Sequence, residues 1–332
     1  MPADPIRDIL DRDFAVVNAK ELTDPACALL REVINDATRV YRRCISDAKK
    51  ISTEEDVHLP TFVLYYHIIE MADACEVLFS RACVDPAVPL IRSMFEANLQ
   101  LGYILENDDY RRCSLQWNVC YARNKIRSKQ AFLPTSLRGR RFARALKNDD
   151  NLKDFRIPDF AASLAKDVNG LRNMLRRKRY VDIDQEYRRK AKRRKGKKTL
   201  EIPPHFYSLF GGPSNLRLLS RSRKQEALYD YFYDQWSTIA HGADASRYLT
   251  SQGEGPAFFA LRNALRIQEN TDFVYIFLTS SRRMVLQKFR PDEPPSQRWF
   301  LEDVKHLRDK LDSIRISSRE EKLKALRKHG KL

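Results

Sequence analysis

The chain is short of glycine, of paired cysteines and of long apolar runs, and each shortage argues against a class of protein. Its 332 residues include only 10 glycines, which argues against turn-dense β structure and against a glycine-rich phosphate loop. The six cysteines form no Cys-x-x-Cys pair, and no histidine is near enough in sequence to indicate a zinc site, so we expect no metal and no cofactor. Most cysteines have apolar neighbours, which predicts small buried thiols in a reducing compartment.

Signals for export and membrane insertion are also missing from the sequence. The N-terminal residues contain no apolar stretch of the kind found in signal peptides, and the longest apolar run, Phe273 to Leu278, is too short to cross a bilayer. We therefore expect a cytoplasmic protein that is not bound to a membrane. With 43% hydrophobic residues, the chain has enough apolar material to bury a core and fold.

Apolar residues recur at steps of three and four along much of the chain, which is the spacing of amphipathic helices. This periodicity predicts helices over 24–50, 61–83, 225–240, 256–268 and 271–289, and one from Pro86 or Pro89 to about Leu105. We predict an all-α fold, a multi-helix bundle with a basic, partly flexible middle insertion and a C-terminal helical tail. The predicted parts are 1–132 and 216–290, which are the two helical halves of one bundle, 133–215, which is the basic insertion, and 291–332, which is the charged C-terminal helix.

Positive charge is concentrated in the middle of the chain, where the formal net charge of +17 has its source. No acidic residue occurs from Tyr110 to Asn148, and a second basic concentration runs from Arg172 to Lys198. Clustered lysines and arginines bind phosphates and release condensed counterions, so RNA or DNA is the expected partner. A solvated loop without a partner, a charged protein or an anionic surface would fit the same pattern. The predicted nucleic-acid-binding residues are Arg176, Arg177, Lys178, Arg179, Arg188, Arg189, Lys190, Lys192, Arg193, Arg194, Lys195, Lys197 and Lys198.

Two helical stripes carry side chains that can do chemistry. Arg92 and Glu96 are four residues apart among apolar neighbours, which predicts a partly buried ion pair on one helix face. Ser237 and His241 are also four apart, and His241 is expected near a helix C-terminus, where the dipole favours its charged form. Such an imidazole can donate to a phosphate or act as a general acid. The structural alternatives are a clamp between helices for the first pair and a hydrogen-bonded helix end for the second.

The two stripes resemble a bacterial helical family catalogued as domain of unknown function 5677. The matching segments are Pro-Leu-Ile-Arg-Ser-Met-Phe-Glu-Ala-Asn at 89–98 and Trp-Ser-Thr-Ile-Ala-His-Gly at 236–242. The resemblance covers about 60–130 and 225–280, and the basic middle looks like an insertion relative to it. Because that family has no settled activity, the resemblance implies a helical fold and a shared pocket and leaves the reaction open.

Three functions follow from these patterns. The first is nucleic-acid binding by an accessory or effector protein of phage defence or the stress response. The second is a metal-independent nuclease or phosphodiesterase, in which Arg92 holds a phosphate, His241 acts as acid or base and Glu96 orients one of them. The third is a helical scaffold that binds a protein partner or a second copy through 298–328.

Overall fold

The computed structural model describes residues 12–51, 54–152, 161–195, 198–240, 249–251, 256–258, 262, 264, 266–292, 305 and 309. These residues are helical almost throughout, which confirms the predicted all-α class. The helices are α1 (Arg12–Ile51), α2 (Glu55–Phe79), α3 (Val84–Leu105), α4 (Tyr110–Gln130), α5 (Leu137–Lys147), α6 (Ala161–Leu175), α7 (Lys178–Ala191), α8 (Leu216–Ser222), α9 (Glu226–Leu228), α10 (Asp234–Ala240) and α11 (Ile267–Phe289). A 3₁₀ turn covers Phe206–Gly211, and a single π turn, Tyr229–Tyr233, joins α9 to α10.

Two short antiparallel hairpins interrupt the helices. The first pairs β1 (Lys192–Lys195) with β2 (Lys198–Glu201), and the second pairs β3 (Leu249–Ser251) with β4 (Pro256–Phe258). The predicted helix over 256–268 is therefore wrong at its start. Pro256 stands at the first position of β4, where a missing N–H is tolerated.

The chain divides into two compact units. One, here called the neutral unit, consists of residues 1–55, 61–106 and 220–332, and the other, the basic unit, consists of 56–60 and 107–219. The four-part organisation predicted from composition stays a prediction. The C-terminal segment 298–328 lies outside the described residues except at 305 and 309.

Helix α11 is the centre of the neutral unit, where it packs against α1 and α3. Its buried face includes Val274, Phe277 and Leu278, which are at most 1% exposed. Polar contacts fix the register of the packing: the side-chain amide of Asn98 on α3 donates to the carbonyl of Phe277 at 3.2 Å. Helix α3 therefore lies in the interior of its unit, as a helix with apolar residues on most sides is expected to do.

Helix α4 is the centre of the basic unit and packs against α6, α7 and the 3₁₀ turn. Val119 and Ala122 of α4 and Tyr180 of α7 are completely buried there. Helix α5 begins at a Ser136 cap whose hydroxyl accepts from the N–H of Gly139 at 2.8 Å. A Cβ at Gly139 would collide with the backbone carbonyl of Leu133, so this helix start needs glycine.

The sequence predicts buried thiols and no membrane-spanning segment, and the structure bears on both points. All six cysteines are free thiols, and all except Cys83 are buried. Burial raises the pKa of the Cys75 thiol to about 12, so this group is protonated and unreactive at neutral pH. Among the helices of the described residues, none combines the length and the apolar character that a bilayer-spanning segment requires.

Candidate functional site

Helices α3 and α10 bring Arg92, Glu96 and Ser237 together in the neutral unit. The Arg92 Nε donates to a Glu96 carboxylate oxygen at 3.1 Å, which forms the predicted ion pair along one helix face. A terminal nitrogen of the same guanidinium donates to the Ser237 hydroxyl at 3.2 Å. The two stripes found in the sequence therefore meet at one arginine. Of the four predicted catalytic residues, His241 lies outside the described residues.

Tyr233 completes this cluster and was missed by the sequence reasoning. Its hydroxyl accepts from Arg92 at 2.7 Å and donates to Glu96 at 2.9 Å, and the guanidinium carbon lies 4.5 Å from the ring centroid. Tyr233 precedes Ser237 by four residues, so it belongs to the same stripe as Ser237, and that spacing was the available signal. It ends the single π turn, a feature that is frequent at functional sites.

Partial burial shapes the electrostatics of the Arg92 cluster. The side chains of Arg92 and Glu96 are 20% and 35% exposed, so the pair is neither sealed in the core nor fully solvated. Burial raises the pKa of the Tyr233 hydroxyl to about 12, and the negative charge of Glu96 adds to the shift. Burial alone would lower the pKa of Arg92, but its bonds to Tyr233 and Glu96 raise it overall. At neutral pH the cluster therefore holds a fixed guanidinium, an aromatic hydroxyl and an aliphatic hydroxyl.

This arrangement can bind an anion and position a proton donor. Arg92 reaches three groups through one planar fork, and such forks match the oxygens of a phosphate. A serine hydroxyl without a neighbouring general base is a weak nucleophile. No group of three or more histidine, cysteine, aspartate or glutamate side chains with the arrangement of a metal site occurs in the described part of the chain.

The net positive charge of the protein is confined to the basic unit. Residues 56–60 and 107–219 hold 29 lysines and arginines against 12 aspartates and glutamates, which accounts for the whole formal charge of +17. The rest of the chain has 32 of each sign and is formally neutral. Charge that is spread over a surface for solubility would not produce this separation. The excess of positive charge is therefore a property of the basic unit alone.

Several predicted nucleic-acid-binding residues pair with the chain's own groups. Arg179 contacts Asp56 at 2.7 Å, Arg188 contacts Asp184 at 2.9 Å, and Arg189 contacts Glu186 at 2.6 Å. The Lys190 ammonium donates to a backbone carbonyl in the 3₁₀ turn. The positive potential of these residues is therefore partly compensated inside the unit.

Other predicted residues keep their charge uncompensated. Arg177 and Lys178 are exposed, and within the described residues neither pairs with a carboxylate. Among the residues that the structure describes, Arg176 donates only to the Asn173 side-chain oxygen, at 3.3 Å. Lys192 is exposed at the start of β1, and the side chains of 193–198 lie outside the described residues.

A partly exposed aromatic pair on α4 is a second feature that the sequence reasoning missed. The rings of Trp117 and Tyr121 stack with centroids 5.2 Å apart and an interplanar angle of 8°. Tyr121 is 45% exposed, and the Lys125 ammonium lies 5.5 Å from its ring centroid. The three residues follow one another at intervals of four, in a segment that has no acidic residue. That spacing was the signal.

The comparisons with known proteins agree with the resemblance seen in the sequence. A family model described as "Family of unknown function (DUF5677)" matches residues 58–256, which is more than half of the chain. The match includes Arg92, Glu96, Tyr233 and Ser237 and also the basic stretch between them. No curated protein and no solved structure matches.

Proposed function

The chain belongs to the DUF5677 family, whose function is unknown, and from this premise we propose that its basic unit binds nucleic acid. The observation that carries the proposal is the confinement of the entire net charge to that unit. Crowding like charges into one folded unit costs self-repulsion, and a phosphate chain relieves that cost by direct neutralisation.

The aromatic pair on α4 favours nucleic acid over other polyanions. Stacked rings beside a lysine are the arrangement that holds single-stranded bases, because every base has an aromatic face. An acidic protein or an anionic surface offers charge but no bases to stack. The proposed affinity for nucleic acid therefore has two contributions, one from charge and one from stacking of bases on aromatic rings. A role in phage defence or the stress response stays a prediction from the sequence.

The binding is expected to be electrostatic and tolerant of sequence. Arg176, Arg177 and Lys178 project cationic groups that no carboxylate of the described residues neutralises. Contacts of this kind bind phosphates and do not distinguish one base from another. The affinity is therefore set by the number of charges and by the salt concentration.

The test neutralises these three residues in the full chain. Replacing Arg176, Arg177 and Lys178 by glutamine is expected to weaken binding to RNA and DNA of any sequence, measured by fluorescence anisotropy against salt. The slope of log K against log salt should become shallower by about 0.7 for each lost contact on single strands. The matched control replaces three exposed basic residues of the neutral unit, Arg42, Lys49 and Arg81, by glutamine.

Two outcomes of this test are informative. If the control protein binds as the wild type does and the variant has a shallower slope, the charge of the basic unit is responsible. If the variant binds RNA and DNA with the affinity and salt slope of the wild type, the proposal is wrong.

A second candidate function is a metal-independent phosphodiesterase, and the Arg92 cluster is the observation that favours it. One partly exposed guanidinium contacts two hydroxyls and a carboxylate, which is a suitable arrangement for holding a phosphate and its leaving oxygen. His241, four residues after Ser237 in sequence, would supply the acid or base.

A cleavage assay in excess chelator tests this candidate. Wild type, Arg92→Lys and His241→Ala proteins are compared on mixed RNA and DNA pools, with Arg81→Ala as a control for an exposed arginine of the same unit. Loss of cleavage in the first two variants only, with unchanged circular dichroism, supports the enzyme. Absence of turnover by the wild type on every pool would leave the binding function alone.

A further inference from the structure

A cavity of about 220 Å³ opens in the basic unit among four arginines and one aspartate. Its lining comes from α4, from α7 and from the end of α6 with the turn that follows. The residues around it are Arg123, Arg172, Leu175, Arg176, Asp184 and Arg188. The lining therefore has three more positive than negative charges.

The single carboxylate of the cavity is fixed by two of the arginines. Asp184 is 7% exposed and receives two bonds of 2.5 Å from the Arg123 guanidinium. Arg188 contacts its other side at 2.9 Å. Arg123 is itself only 22% exposed, and its two parallel bonds to Asp184 hold the guanidinium in one orientation on this side of the cavity.

The other two arginines have no carboxylate of their own. Arg172 stands at the end of α6, and Arg176 follows it by four residues and donates to the neutral Asn173 side chain. No carboxylate of the described residues pairs with either of them. Two like charges beside a shared cavity repel each other, and an anion between them removes that repulsion.

We propose that this cavity binds a phosphate monoester group. A monoester carries about 1.5 to 2 negative charges at neutral pH, and its three terminal oxygens can each accept from a guanidinium. A diester of the nucleic-acid backbone carries only one charge, and a carboxylate offers only two oxygens. An excess of three positive charges therefore selects the monoester over both.

The size of the cavity fits this ligand. A water molecule occupies about 30 Å³ of liquid, so the cavity holds several waters and has room for a phosphate together with part of the group that bears it. The apolar Leu175 in the lining can contact that group. The source of the phosphate rests on the proposed function: it is the phosphorylated end of a nucleic-acid strand or a free mononucleotide.

The experiment compares ligands that differ only in the monoester. The full chain is titrated with one oligonucleotide carrying a 5′-phosphate and with the same oligonucleotide carrying a 5′-hydroxyl, and separately with adenosine monophosphate and with adenosine. The phosphorylated form of at least one pair is expected to bind about tenfold or more tightly, since each charge-assisted bond to the terminal oxygens contributes on that scale.

Variants assign the preference to the cavity. Replacing Arg172 and Arg176 by alanine should abolish the phosphate preference, and replacing both by lysine should restore part of it. The control replaces Arg141 and Arg144 of α5, which are exposed arginines of the same unit outside the cavity lining, by alanine. This control should lower the affinity for both oligonucleotides and keep their ratio.

The outcomes separate this inference from the proposed function. A preference in the oligonucleotide pair identifies strand ends as the source, and a preference in the mononucleotide pair alone identifies a free nucleotide. If the two oligonucleotides bind equally and adenosine monophosphate binds as adenosine does, or if the cavity variants change neither ratio, the cavity is not a monoester site even though nucleic-acid binding stands. If no oligonucleotide binds but the nucleotide preference persists, only the proposed function has failed.

Discussion

Removing the aromatic pair of α4 separates the stacking term of the proposed binding from its charge term. Because Trp117 and Tyr121 stack on each other, each ring has one face already covered, and the pair offers room for about one base. Stacking of a base on an aromatic side chain contributes about 1–3 kcal/mol. Tyr121→Ala should therefore weaken binding to single strands by about 5- to 150-fold.

The assay is a salt titration of binding to an unstructured single-stranded oligonucleotide, followed by anisotropy. No charge is removed by Tyr121→Ala, so the affinity should fall by a constant factor at every salt concentration while the slope stays unchanged. Duplex of the same length, whose bases are already stacked, should show a much smaller loss. Quenching of the Trp117 emission by the bound strand, absent in Trp117→Phe, would report the contact directly.

The matched control is Tyr66→Ala in α2 of the neutral unit. Tyr66 is 54% exposed and also lies against another tyrosine, Tyr41, with ring centroids 5.8 Å apart, so the two substitutions remove similar surfaces. The stacking argument is refuted if Tyr121→Ala binds single strands as tightly as the Tyr66→Ala protein. It is also refuted if the loss is equal for single strands and duplex.

Three further predictions concern the fold and are measured by unfolding. Arg282→Met should lower the free energy of unfolding by about 3–5 kcal/mol, because it leaves the buried Asp36 carboxylate without its main partner; an added Asp36→Leu should restore part of the loss, and no restoration would contradict this. Gly170→Ala, at an exposed site in α6 with nothing near the new Cβ, should raise stability by about 0.5–1 kcal/mol, whereas Gly139→Ala should lower it. The raised pKa of Tyr233 stabilises the fold below pH 10, and this contribution is lost as the pH rises towards 12. Tyr233→Phe should therefore flatten the alkaline loss of stability, and identical profiles would exclude the effect.

Local periodicity was sufficient to predict α1, α2, α3, α10 and α11 and one half of the Arg92 cluster, but it did not predict α5 to α8. Arg92 and Glu96 are four residues apart on a helix, so their pairing follows from helix geometry alone. The contact of Arg92 with Ser237 joins residues 145 positions apart, and only the packing of α3 against α10 produces it. Tyr233 was missed because an aromatic residue at helical spacing is usually core, and nothing in the sequence shows that its hydroxyl reaches an ion pair.

The charge of the basic unit was predictable, but its internal pairing was not. Runs of lysine and arginine are visible directly in the sequence. The partner of Arg179, Asp56, comes from a five-residue piece of chain that joins the basic unit from far away in sequence. The hairpin of β1 and β2 was also hidden, since a strand made of lysines and arginines has no apolar alternation to mark it.

If the Arg92 cluster is catalytic, the separation of charge predicts that the neutral unit contributes to catalysis and the basic unit to substrate affinity. The neutral unit has no net charge, so one arginine must provide local stabilisation without long-range attraction for a polyanion. Affinity for the substrate would then come from the basic unit. Neutralising Arg176, Arg177 and Lys178 should raise KM and leave kcat nearly unchanged, whereas Arg92→Lys should lower kcat, because lysine cannot reproduce the planar fork. Equal effects of both variants on kcat would show that substrate binding and catalysis are not separated between the two units in this way.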